Sequence, residues 1–457
     1  MQKNAAGKPY LSVLLMSVNS QGLHSIQTHK IGLSTAISVV IANMIGTGVF
    51  TSLGFQVLGL ESGLAILLLW VLGGVLALCG AFCYAEIGSA FPENGGEYNY
   101  LSKLYHPAIG FMSGWVSVTV GFAAPIAAAS VAMSNYFCKA YAFEHPLALS
   151  AGVILVITVF HAINMKAGSS FQRVFTYVKL ICIVVFVFSA LFYQPEHHLV
   201  LVGSNTFTQE IFSPAFAVSL IFVTYAYSGW NAAAYIAGEI KHSGKNLPRA
   251  LIYGTLTVAV LYTVLNFVFL YTVPLFELKG VVEVGYLSAS KLFGAAMGAK
   301  VSLLIAVLLV STVSAMILAG PRVMQSMGQH IKGLQFLAIT NSRGVPYVAV
   351  LLQSFIALCM VFTSSFESLI TYVSFTLNLF TLLTVFGIFI LRKNYKRIPG
   401  AYRSPLFPLP ALIFSTVMVW VLIHILFSNP LESVMGLGTV LLGLTFYFIL
   451  RKNESPT

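Results

Sequence analysis

Three short stretches place polar chemistry inside long apolar runs. Ile45-Gly46-Thr47-Gly48-Val49 carries two glycines one residue apart. Tyr225-Ala226-Tyr227-Ser228-Gly229-Trp230-Asn231 carries a Ser-Gly pair followed by an indole and an amide. Each glycine costs about 1 kcal/mol of helix propensity relative to alanine, so both stretches predict a helix that stops and restarts. Lipid cannot solvate the backbone groups set free at a stop, and they must line a cavity or bind something. Free amides at a half-helix N-terminus suit an anion such as a carboxylate. The third stretch centres on Lys179, about ten residues into an apolar run. A lysine at that depth costs roughly 3 kcal/mol or more and marks function by default. A buried amine can also load and release a proton. The competing readings are glycines kept for helix packing and a lysine that snorkels to an interface. The depth of Lys179 and the polar neighbours at both glycine breaks favour function.

These stretches need elements that hold them at membrane depth. The 457 residues are 58% hydrophobic and 8% charged, with a mean hydropathy of +0.88. A soluble domain is about 25% charged, so the chain reads as an all-α polytopic membrane protein. Twelve apolar runs have the length a bilayer needs: 32–56, 62–90, 107–137, 148–163, 169–193, 211–239, 250–273, 301–324, 345–364, 368–391, 408–427 and 432–450. The two glycine breaks fall in the first and sixth, five apart, as a five-plus-five inverted repeat requires. Nineteen of the 24 Lys and Arg residues fall in segments on one side, four fall on the other, and Lys179 is left in a span. The positive-inside rule then puts both termini in the cytoplasm. The net charge of +11 is this topology signal and not a nucleic-acid patch. The expected organisation is a cytoplasmic tail over 1–30, repeats over 31–193 and 194–391, a linker over 392–407, two further helices over 408–450, and a tail over 451–457.

Other polar residues have plainer readings. Glu86 and Glu239 sit at inner span ends and are expected to pair with loop bases such as Lys241 or Arg249. His161 and His424 read as structural histidines. Cys79 and Cys83, at i and i+4, read as packing. His197 and His198 beside Glu196 form no complete metal set. The loop Phe91–Pro107, FPENGGEYNYLSKLYHP, fits either a re-entrant gate or a turn with amphipathic ends. No GxSxG, HExxH or P-loop motif occurs, so no enzyme, metal site, cofactor or ATP-driven pump is expected.

IGTGVF, FPENGGEYNYL, FTYVK, YAYSGWN and GEIKHSGKNLPRA occur in that order between about Ile31 and Arg403. Together they resemble the amino acid–polyamine–organocation superfamily, and within it the L-type amino acid transporter branch. The resemblance implies a LeuT-like fold with helices one and six broken. It implies that the amides of Ile45–Val49 take a substrate carboxylate and that carbonyls around Tyr225–Ser228 accept its α-ammonium group. Tyr225 matches the family's aromatic gate, where phenylalanine is common. Ser228 matches a small residue beside the substrate side chain, and Asn231 a polar residue near the site. Lys179 matches the lysine that replaces sodium of sodium-driven relatives, here by donating to carbonyls around Ile45–Gly46.

The substrate set expected is therefore Ile45, Gly46, Thr47, Gly48, Val49, Tyr225, Ala226, Tyr227, Ser228, Trp230 and Asn231, with Lys179 as sodium substitute or proton carrier. The expected function is sodium-independent transport of small neutral L-amino acids across the cell membrane by alternating access, as an exchanger. Proton symport is the alternative, and a non-transporting amino acid sensor a more distant one. No carboxylate is expected in the pocket, which argues against lysine or arginine as substrates. Human-type carriers of this branch pair with a glycoprotein through a cysteine after span three. Cys138 lies inside the end of that span, so no such partner is expected, and the sequence leaves the oligomeric state open.

Overall fold

The computed structural model describes residues 30–163, 165–195, 207–395 and 398–452. Residues 1–29 of the tail expected over 1–30, the Glu196-His197-His198 cluster and residues 453–457 lie outside them. The described residues fold into helices, with one isolated parallel bridge between Ile31 and Ile240. Ten helices among them are long and apolar enough to cross a membrane. Two expected spans fall short of that length. The sixth is a 14-residue helix, Pro214–Tyr227, followed by a 3-10 turn over Ala232–Glu239. The ninth is Tyr347–Thr363, 17 residues.

Helix starts follow local chemistry. The Ser62, Ser213 and Ser365 hydroxyls each accept the N–H three residues on, which satisfies donors that a helix start leaves orphaned. Small residues set the tightest packing. Ala123, Ala124, Ala127, Ala128 and Ala132 are fully buried in Ala123–Tyr141, the helix that packs along Ala295–His330. The helix Pro146–Ile163 instead shows Leu155, Val156 and Val159 at its surface, an apolar face suited to lipid.

One helix, Pro107–Tyr141, changes pitch on the way. Ser117–Gly121 is a π turn, a feature found often at functional sites, and Ser117 and Gly121 line the main cavity. Elsewhere an aromatic cluster sets the core beside that cavity. Trp70 is fully buried and meets the Tyr262 ring edge-on at 5.7 Å. The Trp70 indole N–H donates to Gln56 Oε1 at 3.1 Å, and the Tyr227 hydroxyl donates to Trp70 O at 2.9 Å. These bonds tie the first, second and sixth hydrophobic segments together.

Candidate functional site

The helix Leu33–Met44 ends at Ile45, and a new helix, Gly48–Gln56, starts after Thr47. The helix Pro214–Tyr227 ends at Ser228. The two interruptions touch. A Cβ on Gly48 would lie 2.4 Å from Ala226 Cα, and one on Gly229 would lie 2.7 Å from Asn43 O. Gly229 also has φ +93°, a conformation few other residues adopt. The N-terminal, partly positive end of Gly48–Gln56 thus meets the C-terminal, partly negative end of Pro214–Tyr227. Such a pair of ends complements a zwitterion.

At the first interruption the freed carbonyls are occupied. Lys179 is 1% exposed, and its Nζ donates to Ile45 O at 3.1 Å and to Thr312 Oγ1 at 2.9 Å. Tyr262 Oη donates to Met44 O at 2.5 Å, and Gly46 N–H to the same oxygen at 2.8 Å. Thr47 Oγ1 and Tyr225 Oη lie 3.1 Å apart in a hydrogen bond across the two interruptions. Ile45, Thr47, Gly48 and Val49 are buried, and Gly46 is half-buried.

The second interruption lies on a cavity of about 710 Å³. Tyr225, Tyr227, Ser228, Trp230 and Asn231 line it, Ala226 is packed behind, and none of Ile45–Val49 reaches its wall. Tyr227 turns its hydroxyl away to Trp70. The Trp230 ring meets Tyr84 edge-on at 4.7 Å, and Asn231 Nδ2 donates to Glu97 Oε1 at 3.1 Å. Exposed Asn94, Arg322 and Gln329 belong to the cavity's lining. On the far side of Tyr225, Phe55 stacks between Phe222 at 5.4 Å and Phe366 at 5.7 Å. Gly54 O accepts from Gly280 N there at 2.8 Å.

Two expectations need correction. Glu86 pairs with Arg392 at 2.7 Å and accepts Ser404 N–H at 2.8 Å, so its partner is neither Lys241 nor Arg249. Arg392 takes both Glu86 oxygens, Nε at 2.8 Å and Nη2 at 2.7 Å, the bidentate geometry that suits a guanidinium. The cavity also holds two carboxyls after all: Glu97 lines it and is 3% exposed, and Glu239 lines it as well, accepting from Asn94 Nδ2 at 3.4 Å. Burial pushes the Glu97 carboxyl above the usual range, against the pull of hydrogen bonds from Tyr84, Thr381 and Asn231. Of the histidines, His161 Nε2 meets Ser314 Oγ at 2.8 Å and His424 Nδ1 meets Trp420 O at 2.9 Å.

The fold and this cavity define a helical, multi-pass membrane protein with a polar site deep in its core. A profile of the amino acid permease family matches residues 31–448. The chain is 29% identical to the serine/threonine exchanger SteT of Bacillus subtilis over 433 residues, covering 93% of this chain and 98% of that one. It is 28% identical to the mouse b(0,+)-type amino acid transporter 1, covering 95% and 90%. It is also 28% identical to the mouse large neutral amino acids transporter small subunit 2, covering 92% and 80%. The chain belongs to the amino acid permeases of the amino acid–polyamine–organocation superfamily, with these relatives of the L-type branch among those it is similar to, and is an amino acid transporter and not an enzyme.

Proposed function

We propose that the protein exchanges neutral L-amino acids across the cell membrane without sodium, by alternating access. The observation that carries this reading is Lys179, whose ammonium group bonds Ile45 O and Thr312 Oγ1 where a sodium-driven relative would hold its ion. A fixed cation at that point removes the need for a bound one.

The architecture proposed is twelve spans, with 31–193 and 194–391 as inverted repeats, helices one and six broken, a linker over 392–407 and two peripheral helices over 408–450. Both termini are placed in the cytoplasm by the lysine and arginine bias. The cavity's exposed Asn94, Arg322 and Gln329 then face the cytoplasm, and the Phe55–Phe222–Phe366 stack closes the outer side. The substrate carboxylate goes to amides at the start of Gly48–Gln56, and its ammonium group to carbonyls at the end of Pro214–Tyr227. The Thr47–Tyr225 bond must open for both ends to be reached. Ser228, Trp230 and Asn231 border the substrate side chain. Burial disfavours the charged form of the Glu97 carboxyl, which weakens it as a partner for a cationic side chain and supports neutral selectivity in place of the carboxylate-free pocket expected from sequence.

The name of one relative, the serine/threonine exchanger SteT, supports exchange. The test uses the purified protein in liposomes, loaded with unlabelled alanine or left empty. Labelled alanine should enter loaded vesicles only, equally well with and without sodium. Uptake into empty vesicles driven by a proton gradient would establish symport instead. Uptake that required sodium would remove the role given to Lys179.

A further inference from the structure

Glu97 opens the helix Glu97–Leu104, but its side chain is held by three other elements. Tyr84 from Gly63–Ala90, Asn231 from the turn after Tyr227, and Thr381 from Phe366–Asn394 all donate to one oxygen, Oε1. Their distances are 2.5, 3.1 and 3.2 Å. The second oxygen, Oε2, makes no hydrogen bond or ion pair to any described residue. Glu97 forms part of the cavity wall, so Oε2 is the atom left to the cavity. The titratable groups around it are the phenols of Tyr84, Tyr100 and Tyr235, and a second acid, Glu239, lines the same cavity and accepts from Asn94 Nδ2. Arg322 shares the cavity without pairing with it, and Arg392, on the helix that carries Thr381, is taken by Glu86. Among the described residues, therefore, no cation fixes Glu97 in its charged form.

A carboxyl with one oxygen anchored by three donors and the other free toward an open cavity has the form of a proton-binding site. We propose that Glu97 Oε2 takes a proton from the cavity, and that this proton sets how firmly the Ser228–Asn231 turn is held. The proposal rests on the reading of that turn as part of the substrate site. Hydrogen bonds to an ionised carboxylate are roughly twice as strong as neutral ones. Deprotonated Glu97 therefore grips Asn231 Nδ2 and Tyr84 Oη, and Tyr84 stands against Trp230. Protonation weakens both bonds and frees the turn to rearrange. The sign follows directly. Burial raises the carboxyl's titration above the ordinary range, so Glu97 is neutral on the acid side of that titration and charged on the alkaline side. Exchange is fast when it is neutral and slows as pH rises through the titration.

The test is alanine–alanine exchange in liposomes holding the full chain, with the same pH on both sides, over a series of pH values. Wild type should slow severalfold toward alkaline pH. Glu97→Gln keeps the accepting oxygen but cannot titrate, so it should stay near the fast rate and lose the pH step. Tyr84→Phe removes a donor that favours the charged form, so it should move the step to higher pH. A wild-type step that survives unchanged in Glu97→Gln overturns the proposal, as does labelled lysine uptake that needs charged Glu97. Infrared difference spectra of wild type against Glu97→Gln read the carboxyl without transport. A protonated-carboxyl band lost at alkaline pH supports the proposal, and its absence at every pH refutes it. If wild type exchanges no amino acid, the transporter reading fails, and that band still decides the proton site.

Discussion

The interruption at Ile45–Thr47 has its freed carbonyls taken by side chains from other helices, whereas the one at Ser228–Asn231 closes on its own backbone and leaves a face to the cavity. Lys179 and Tyr262 reach the first from two different helices. In the second, Ser228 N–H returns to Tyr225 O at 2.9 Å and Ala232 N–H to Gly229 O at 2.9 Å. The two differ in surroundings and not in glycine content. A break packed inside protein must have its polar groups met there, since unmet ones cost about 1–3 kcal/mol each. A break on a cavity can keep its groups for a ligand. In this account the first interruption is the fixed half of the site and the second the responsive half.

The largest effect is expected where the fixed half is pinned. Lys179→Ala removes hydrogen bonds from a charged donor, worth about 1.5–3 kcal/mol, and should slow alanine exchange by roughly tenfold to a hundredfold. Exchange measured at an undiminished rate in that variant would erase the distinction between the two breaks. Next come the glycines. Gly48→Ala drives a methyl to 2.4 Å from Ala226 backbone, while Gly46→Ala meets only the Thr312 methyl at 3.3 Å. Overpacking of the first kind costs about 1–3 kcal/mol. Thermal melting of the purified variants should show Gly48→Ala clearly lowered and Gly46→Ala near wild type. Equal melting of the two would mean that the breaks do not meet at Gly48. The smallest effect is expected for Tyr225→Phe, which loses the bond to Thr47, worth about 0.5–1.5 kcal/mol. Exchange rates should change by less than about tenfold, with the gate opening more easily. A total loss of exchange would give the hydroxyl a larger role than bridging the breaks.

Part of this arrangement is legible in the order of the residues. Gly46 and Gly48 in one apolar run and Ser228-Gly229 in another mark the two interruptions because helix propensity and lipid act locally. Lys179 stands out because a charge within a span has few explanations. Residue order does not carry which distant group meets which. Glu97 reads as one acid in a polar loop, and the residues that bury it, Tyr84, Asn231 and Thr381, lie as far as 284 positions away. Its one local signal is GGEYNYL, where Tyr100 and Leu101 follow the acid at the i+3 and i+4 helical spacing. The loop bases Lys241 and Arg249 are the partners expected for Glu86, but Arg392, 306 positions on, is the one that reaches it. The sixth apolar run reads as a helix that stops at Ser228-Gly229 and restarts, and nothing in it marks the form of the restart. Its helix stops at Tyr227, because Ser228 and Gly229 bend the backbone and the residues after Asn231 wind as a tighter 3-10 turn.

The most direct test compares the two halves by thiol labelling. In a background with the five native cysteines replaced by serine, Ser228→Cys and Thr47→Cys are each treated with a small water-soluble thiol reagent, with and without alanine. Ser228→Cys should react fast and be protected by alanine, and Thr47→Cys, buried behind Tyr225, should react far more slowly. Equal reactivity at both positions, or no protection of Ser228→Cys by any amino acid that the protein transports, would contradict this account.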